Sequence, residues 1–311
     1  MTALASPEPA TAAPARGAGH VVAPLMITIL AAAAVAVLYQ ICVRTSLGQS
    51  IDTAAMRGGD VQHPRVAELL SRTLTGTSLA GLVLVCLAAA AIGVLRRRID
   101  LAVAAALLVI GANASTQLLK TTLGRPHLDD FPAPNSFPSG HTAAAASVAC
   151  ALILVLPHAV RGTTALIGAG YVTMIAVATV WAEWHRPSDA VAGLLIVLGW
   201  GSLAVFGIRV YRLRVPGGSG RPGRLAGLPL LGFGAVTASA ALLGLIAVAL
   251  SERVLPGLVS GRFAFLAGSA GIAAAVAGIF FIWVRLAAGD PPAGEATTDQ
   301  AESGARRAGR R

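Results

Sequence analysis

Apolar runs of about twenty residues recur along the whole chain, and nothing else in the sequence limits the fold so strongly. Eight of them approach the length that about 30 Å of hydrocarbon requires at 1.5 Å per helical residue. They cover 21–43, 73–95, 99–119, 140–157, 163–183, 188–208, 228–250 and 263–286. Only 12% of the 311 residues are charged, about half the share usual in a soluble domain, and mean hydropathy is +0.73. The expected fold class is all-α: a polytopic membrane helical bundle with a six-helix core and two further C-terminal transmembrane helices, eight in total.

The net charge of +10 does not point to nucleic acid, because the basic residues occupy the short gaps between apolar runs rather than one patch. Arg96, Arg97 and Arg98 separate the second and third runs. Arg209, Arg212, Arg214, Arg221 and Arg224 follow the sixth, and Arg306, Arg307, Arg310 and Arg311 lie in the tail. With eight spans all three clusters share one side, which the positive-inside rule makes cytoplasmic. Both termini are then expected inside a cell (plasma) membrane, with loops 44–72, 120–139, 184–187 and 251–262 outside.

The expected organisation is a disordered tail at 1–20, the six-helix unit at 21–212, a Gly/Pro/Arg-rich cytoplasmic linker at 213–227, a helix pair at 228–286 and a disordered basic tail at 287–311. The first run is longer than a signal-peptide core and reads as a retained helix. Cys42, Cys86 and Cys150 each lie within an apolar run, a spacing that offers neither a disulfide framework nor a metal site.

Against this apolar background, ionisable residues gather in the outer loops. Lys120 is the only lysine among 24 basic residues, a compact point charge suited to phosphate. Asn113 and Gln117 share its helix face, and hydrogen bonding between helices is the reading that suits them better. In "PSGH", 138–141, Pro138 suits a helix start. Ser139 and Gly140 would offer free backbone N–H groups to an anion at the positive end of the helix dipole. His141 stands beside them, placed to give a proton to a departing oxygen; a helix cap with an incidental histidine is the structural alternative. In "HRPSD", 185–189, Asp189 follows His185 by four residues and can fix its tautomer, leaving the other ring nitrogen free to attack. Alternatively, Asp189 is an acid favoured by the helix dipole beside a solvated histidine. Taken together, cations, amides and two histidines select phosphoryl chemistry.

These three stretches resemble the motifs of the type 2 phosphatidic acid phosphatase (PAP2) superfamily, in order and spacing, over roughly residues 20 to 212. "KTTLGRP", 120–126, is similar to its first motif, "PSGH" to its second, and "HRPSD" to part of its third. The resemblance implies that Lys120, Arg125, Ser139 and Gly140 hold phosphate. It implies that His141 protonates the leaving group and that His185, oriented by Asp189, forms a phosphohistidine. It implies neither cofactor nor metal. Two departures stand out. The first motif has four residues, rather than the usual six, between the lysine and Arg-Pro, and His127 stands where some members carry the arginine. The Ser-Arg of the third motif falls on Ala178 and Thr179, losing a contact of a kind worth on the order of 10²–10³ in rate. Arg186 is the candidate replacement.

The function expected is hydrolysis of a lipid phosphate or polyprenyl pyrophosphate at the outer leaflet, with membrane lipids as the surroundings and no nucleic-acid partner. The alternatives are a lipid phosphotransferase that uses the same histidine, or a non-catalytic lipid-phosphate binding or transport protein. The sequence leaves the oligomeric state open.

Overall fold

A computed structural model describes residues 18–59, 97–131, 134–213, 227–253 and 260–288, with a few helical residues between 68 and 95. Among the described residues regular structure is helical throughout, with no strand. The elements are α1 (Ala18–Leu38), which runs on into a π-helical turn at Tyr39–Val43, α2 (Ser46–Arg57), α3 (Ile99–Thr122), α4 (Gly140–Val155), α5 (His158–Trp181), α6 (Pro187–Leu213), α7 (Gly227–Arg253) and α8 (Gly261–Ala288).

Six segments among the described residues are long and apolar enough to cross a membrane, which makes this a multi-pass helical membrane protein. In lipid a helix is one of the few structures that pairs all its backbone groups internally. The expected span at 140–157 is α4, whose 16 residues reach only about 24 Å. Most of the expected span at 73–95 lies outside the described residues, so the count of eight is not established. The expected tails at 1–20 and 287–311 and the linker at 213–227 also lie almost wholly outside them. The expected loop at 44–72 contains α2, a helix capped by Thr45, whose hydroxyl accepts the Gly48 N–H at 3.0 Å.

The helices alternate in direction, giving the bundle two chemically distinct ends. At one end Asp100 joins Arg98 (3.2 Å) to Arg212 (2.7 Å). Arg161 donates to the carbonyls of Leu154, Leu156 and Ala287 at 2.9 Å each, and Arg209 donates to Leu286 at 3.0 Å. These carbonyls are last-turn groups without helical partners, and cations suit the negative end of a helix dipole. At the other end α1, α3 and α5 finish, α4, α6 and α8 begin, and α2 packs against α5, α6 and α8.

Small residues allow the helices to approach closely, as packing in lipid favours. Trp283 of α8 is 1% exposed. Its ring lies against Gly201 of α6, where a Cβ would come within 2.6 Å, and its N–H donates to the Cys150 carbonyl at 3.0 Å. Large apolar side chains on the outer faces of α1 and α7, such as Leu30, Val236 and Leu243, are exposed, as lipid-facing residues should be.

Candidate active site

The site forms where α4 and α6 begin, and the two starts are joined directly. The Ser139 N–H donates to the Asp189 carbonyl at 2.8 Å. A Cβ on Gly193 would stand 2.7 Å from the Ser139 carbonyl oxygen, so only glycine allows this approach. The first turn of α4 is thereby pressed against α6, and His141 and His185 come to 5.9 Å between ring centroids. Trp184 flanks His141 at 5.5 Å.

The end of α5 aims His185. The Thr179 carbonyl accepts the N–H groups of Trp184 (3.0 Å) and His185 (3.2 Å), and Glu183 takes a left-handed conformation at φ 59° to close the turn. His185 is buried. Its Nδ1 is 3.6 Å from Asp189 Oδ2, an ionic contact somewhat beyond hydrogen-bond length, and Nδ1 has no hydrogen-bond partner. This leaves Nε2 as the nitrogen turned away from the carboxylate.

Asp189 is fully buried and gathers more than His185. Its Oδ2 accepts the Ser136 hydroxyl at 2.5 Å and the Arg186 backbone N–H at 2.9 Å. Its Oδ1 receives Arg125 Nη2 at 3.4 Å. The side chain of Arg125 is only 2% exposed, yet its Nε and Nη1 have no hydrogen-bond partner. Buried donors without acceptors are costly, and two on one guanidinium leave it able to donate to phosphoryl oxygens.

Arg186 completes the cluster and is also buried. Its Nε donates to Thr53 Oγ1 at 3.1 Å, and Nη1 reaches Ser136 Oγ at 3.5 Å. Burial, and then the like charge of Arg125, lower its proton affinity below the ordinary arginine value, while Asp189, Asp52 and Asp129 oppose that shift. A guanidinium stays charged regardless, so two buried cations face each other here. Lys120, half-buried in the last turn of α3, adds a third cation at this end.

Other expected residues fall into two groups. Gly140 is open: the nearest neighbour of a Cβ built there would be Gln117 Nε2 at 3.8 Å, so an anion can approach the α4 N-terminus, and Gln117 borders that space. Ser139 is fully buried, and its hydroxyl accepts the Thr142 N–H at 3.3 Å as a helix cap. Asn113 bonds across to Ser147 at 3.1 Å, the inter-helix role considered for it. His127 is exposed, unlike the buried residues of the cluster.

Sequence reasoning missed Ser136 and the whole of α2. Gln49, Asp52, Thr53 and Met56 are all buried and follow an i, i+3, i+4, i+7 pattern, the signature of one helix face. Gln49 Nε2 donates to the Pro126 carbonyl at 2.6 Å and its Oε1 accepts the Leu128 N–H at 3.2 Å. With Tyr39, whose hydroxyl donates to the Gly124 carbonyl at 2.6 Å, it holds the loop that carries Arg125. Asp52 accepts the Ser188 N–H at 3.1 Å and also the Ser188 hydroxyl. The signal was available as a polar helical face, but it lay within a loop too polar to attract attention beside the apolar runs.

Residues 101–212 match the model of the PAP2 superfamily. No curated protein and no solved structure matches the chain.

Proposed function

We propose that the chain, whose residues 101–212 match the PAP2 superfamily, is a phosphatase of the membrane surface, acting on a lipid phosphate or polyprenyl pyrophosphate by way of a phosphohistidine. Phosphatase-type activity follows from the family. The mechanism rests on one observation above all: Arg125 is buried with two free N–H donors, in the same cluster as His185, Asp189 and Arg186.

The phosphoryl oxygens bind between Arg125, Arg186, Lys120 and the backbone N–H groups at Gly140. His185 Nε2 attacks phosphorus, a P–N bond forms, and the P–O bond to the leaving group breaks. His141, as imidazolium, gives its proton to that leaving oxygen. Asp189 stabilises the positive charge that appears on the His185 ring. Water then attacks the phosphohistidine and gives its proton to the now neutral His141. Inorganic phosphate leaves, and both histidines return to their starting states. The positive charge concentrated in this cluster does the neutralising that a metal ion does in other phosphoryl-transfer sites.

An amphiphilic substrate suits a site at one end of an apolar bundle, where the head group meets cations while the tail stays in lipid. The arginine-rich opposite end is the cytoplasmic one by the positive-inside rule, which directs the site to the outer leaflet of the cell membrane. The test is phosphate release from dioctanoyl phosphatidic acid and farnesyl pyrophosphate by purified protein in detergent with EDTA present, beside His185→Ala. Metal-free release that disappears in His185→Ala supports the reading. Release that survives in His185→Ala rules out the phosphohistidine.

A further inference from the structure

Helix α2 lies outside the residues that match the family model, yet two of its side chains reach into the cluster that would hold the phosphoryl group. Thr53 stands between Arg186 and Asp129. Its hydroxyl accepts from Arg186 Nε at 3.1 Å and donates to Asp129 Oδ2 at 2.6 Å. A hydroxyl has one proton to give, so this geometry fixes the direction of both bonds. The other described hydrogen bond of the Arg186 side chain, from Nη1 to Ser136, is at the limit of bonding distance at 3.5 Å. Thr53 therefore determines how the guanidinium plane lies.

Direction matters here because Arg125 lies near enough to repel Arg186. Asp189, Asp52 and Asp129 offset part of that repulsion, but of these contacts only Thr53 gives the Arg186 Nε a directed acceptor. With it, the Arg186 guanidinium is held in one orientation within the cluster. Asp129 is the anchor: it is only partly exposed, and its other oxygen accepts the Phe131 N–H at 3.4 Å, so the hydroxyl has a fixed target. One residue earlier, Asp52 accepts the N–H and hydroxyl of Ser188 and so seats the α6 turn that carries Asp189. Adjacent residues of α2 thus hold Arg186 and Ser188, two neighbours of Asp189 in the same motif stretch.

We propose that Thr53 is a positioning residue for the phosphoryl-transfer site: acting through Arg186, it gives this chain the phosphate-binding guanidinium that its third motif lacks at Thr179. The proposal rests on the phosphohistidine reading and adds a residue outside the family's motifs.

The test is a double-mutant cycle on the full chain in detergent, with two readouts: kcat/KM for dioctanoyl phosphatidic acid, and the rise in melting temperature caused by inorganic phosphate. Thr53→Val keeps the shape of the side chain and removes the hydroxyl; Thr53→Ser keeps the hydroxyl. Thr53→Val is expected to lower kcat/KM by about 10- to 100-fold, as a misdirected contact to the reacting group does, and to reduce the stabilisation by phosphate. Thr53→Ser is expected to restore most of both. In an Arg186→Ala background, Thr53→Val is expected to cost almost nothing more, because the two act as one unit. Equal losses in the wild-type and Arg186→Ala backgrounds would overturn the proposal, as would full activity and phosphate stabilisation in Thr53→Val. Should Thr53→Val fail to fold, Asp129→Asn weakens the same chain at its anchor, and its loss must likewise vanish in Arg186→Ala for the proposal to stand. Phosphate stabilisation needs no turnover. A wild type that binds phosphate but hydrolyses neither lipid would therefore count against the phosphatase reading while still testing Thr53.

Discussion

Gly193 on α6 packs against the carbonyl of Ser139 so closely that a methyl group there would meet the oxygen at 2.7 Å. Two helix starts that bear the two histidines are joined at this point, and the oxygen is backbone, so it cannot swing aside as a side chain would. Gly193→Ala must push α4 from α6. Overpacking of this kind costs about 1–3 kcal/mol, and a displacement near 1 Å between reacting groups costs on the order of 10² in rate. Gly193→Ala is expected to lower the melting temperature modestly and phosphate release severely. A variant that melts like wild type and retains its rate would show that the contact does not set the distance between the histidines.

Asp189 differs from a simple histidine partner because it also receives Ser136, the Arg186 N–H and Arg125. Asp189→Asn keeps the size but removes the charge that offsets buried Arg125 and faces the His185 ring. A loss on the order of 10²–10⁴ in kcat is expected, along with lower stability, since breaking a buried ion pair costs about 3–5 kcal/mol. Asp189→Asn with an undiminished rate would remove Asp189 from the mechanism. The kinetic loss is read in the fraction that remains folded, measured by size-exclusion chromatography before assay.

Asp52 gives the clearest pH dependence outside the membrane-spanning helices. Burial, and then the negative charge of Asp189, raise its carboxyl from 3.8 to about 6, while Ser188 and Arg125 pull the other way. Arg186 from the loop before α6 and Cys42 from the π-helical turn also face it. The folded state therefore binds more protons than the unfolded chain between about pH 4 and 6. Its stability contribution is greatest below that window and falls as pH rises through it. Asp52→Asn keeps an acceptor for the Ser188 N–H and removes the titration. The difference in melting temperature between variant and wild type is expected to shift in favour of the variant as pH rises from 4 to 7. A pH-independent difference would mean that Asp52 does not titrate in this range.

The sequence made the helical class and the three motif stretches legible for different reasons. Apolar length reports directly on lipid, so α1, α3, α5, α6, α7 and α8 stand close to the expected runs. His141, His185, Asp189, Arg125 and Arg186 were legible because ionisable groups are rare in this chain and their chemistry is narrow. What the sequence hid lies in partnership. Ser139 is of the same residue type whether it binds an anion or caps a helix, and only the Thr142 N–H aimed at its oxygen separates the two. Asp52 and Thr53 sit in a stretch whose polarity reads as loop, because a helix that buries polar groups reverses the usual pattern. Their partners, Ser188 and Arg186, are more than a hundred residues away. Helix α4 carried an apolar signal that ran to Pro157, but its last carbonyls are closed by Arg161, a contact that local sequence does not reveal.

The two C-terminal helices extend beyond the family match at 101–212, yet α8 supports the site from behind. Gly268 lies against Pro187, where a Cβ would come within 2.8 Å of the proline ring, so α8 sets the seat of the α6 start that carries Asp189. At the opposite end Arg161 and Arg209 close the last carbonyls of α8, and one turn earlier Trp283 fills the space beside Gly201. A helix fixed near its start and over its last turns is part of the folded unit rather than an appendage. Trp283→Ala opens a cavity where a fully buried ring stood, at a cost of about 3–5 kcal/mol, and is expected to lower the melting temperature while leaving KM for phosphatidic acid almost unchanged. Gly268→Leu, which presses on Pro187 itself, is expected to reduce kcat further than its loss of stability explains. If Gly268→Leu and Trp283→Ala lowered stability and rate in the same proportion, α8 would be a scaffold only, with no hold on the position of Asp189.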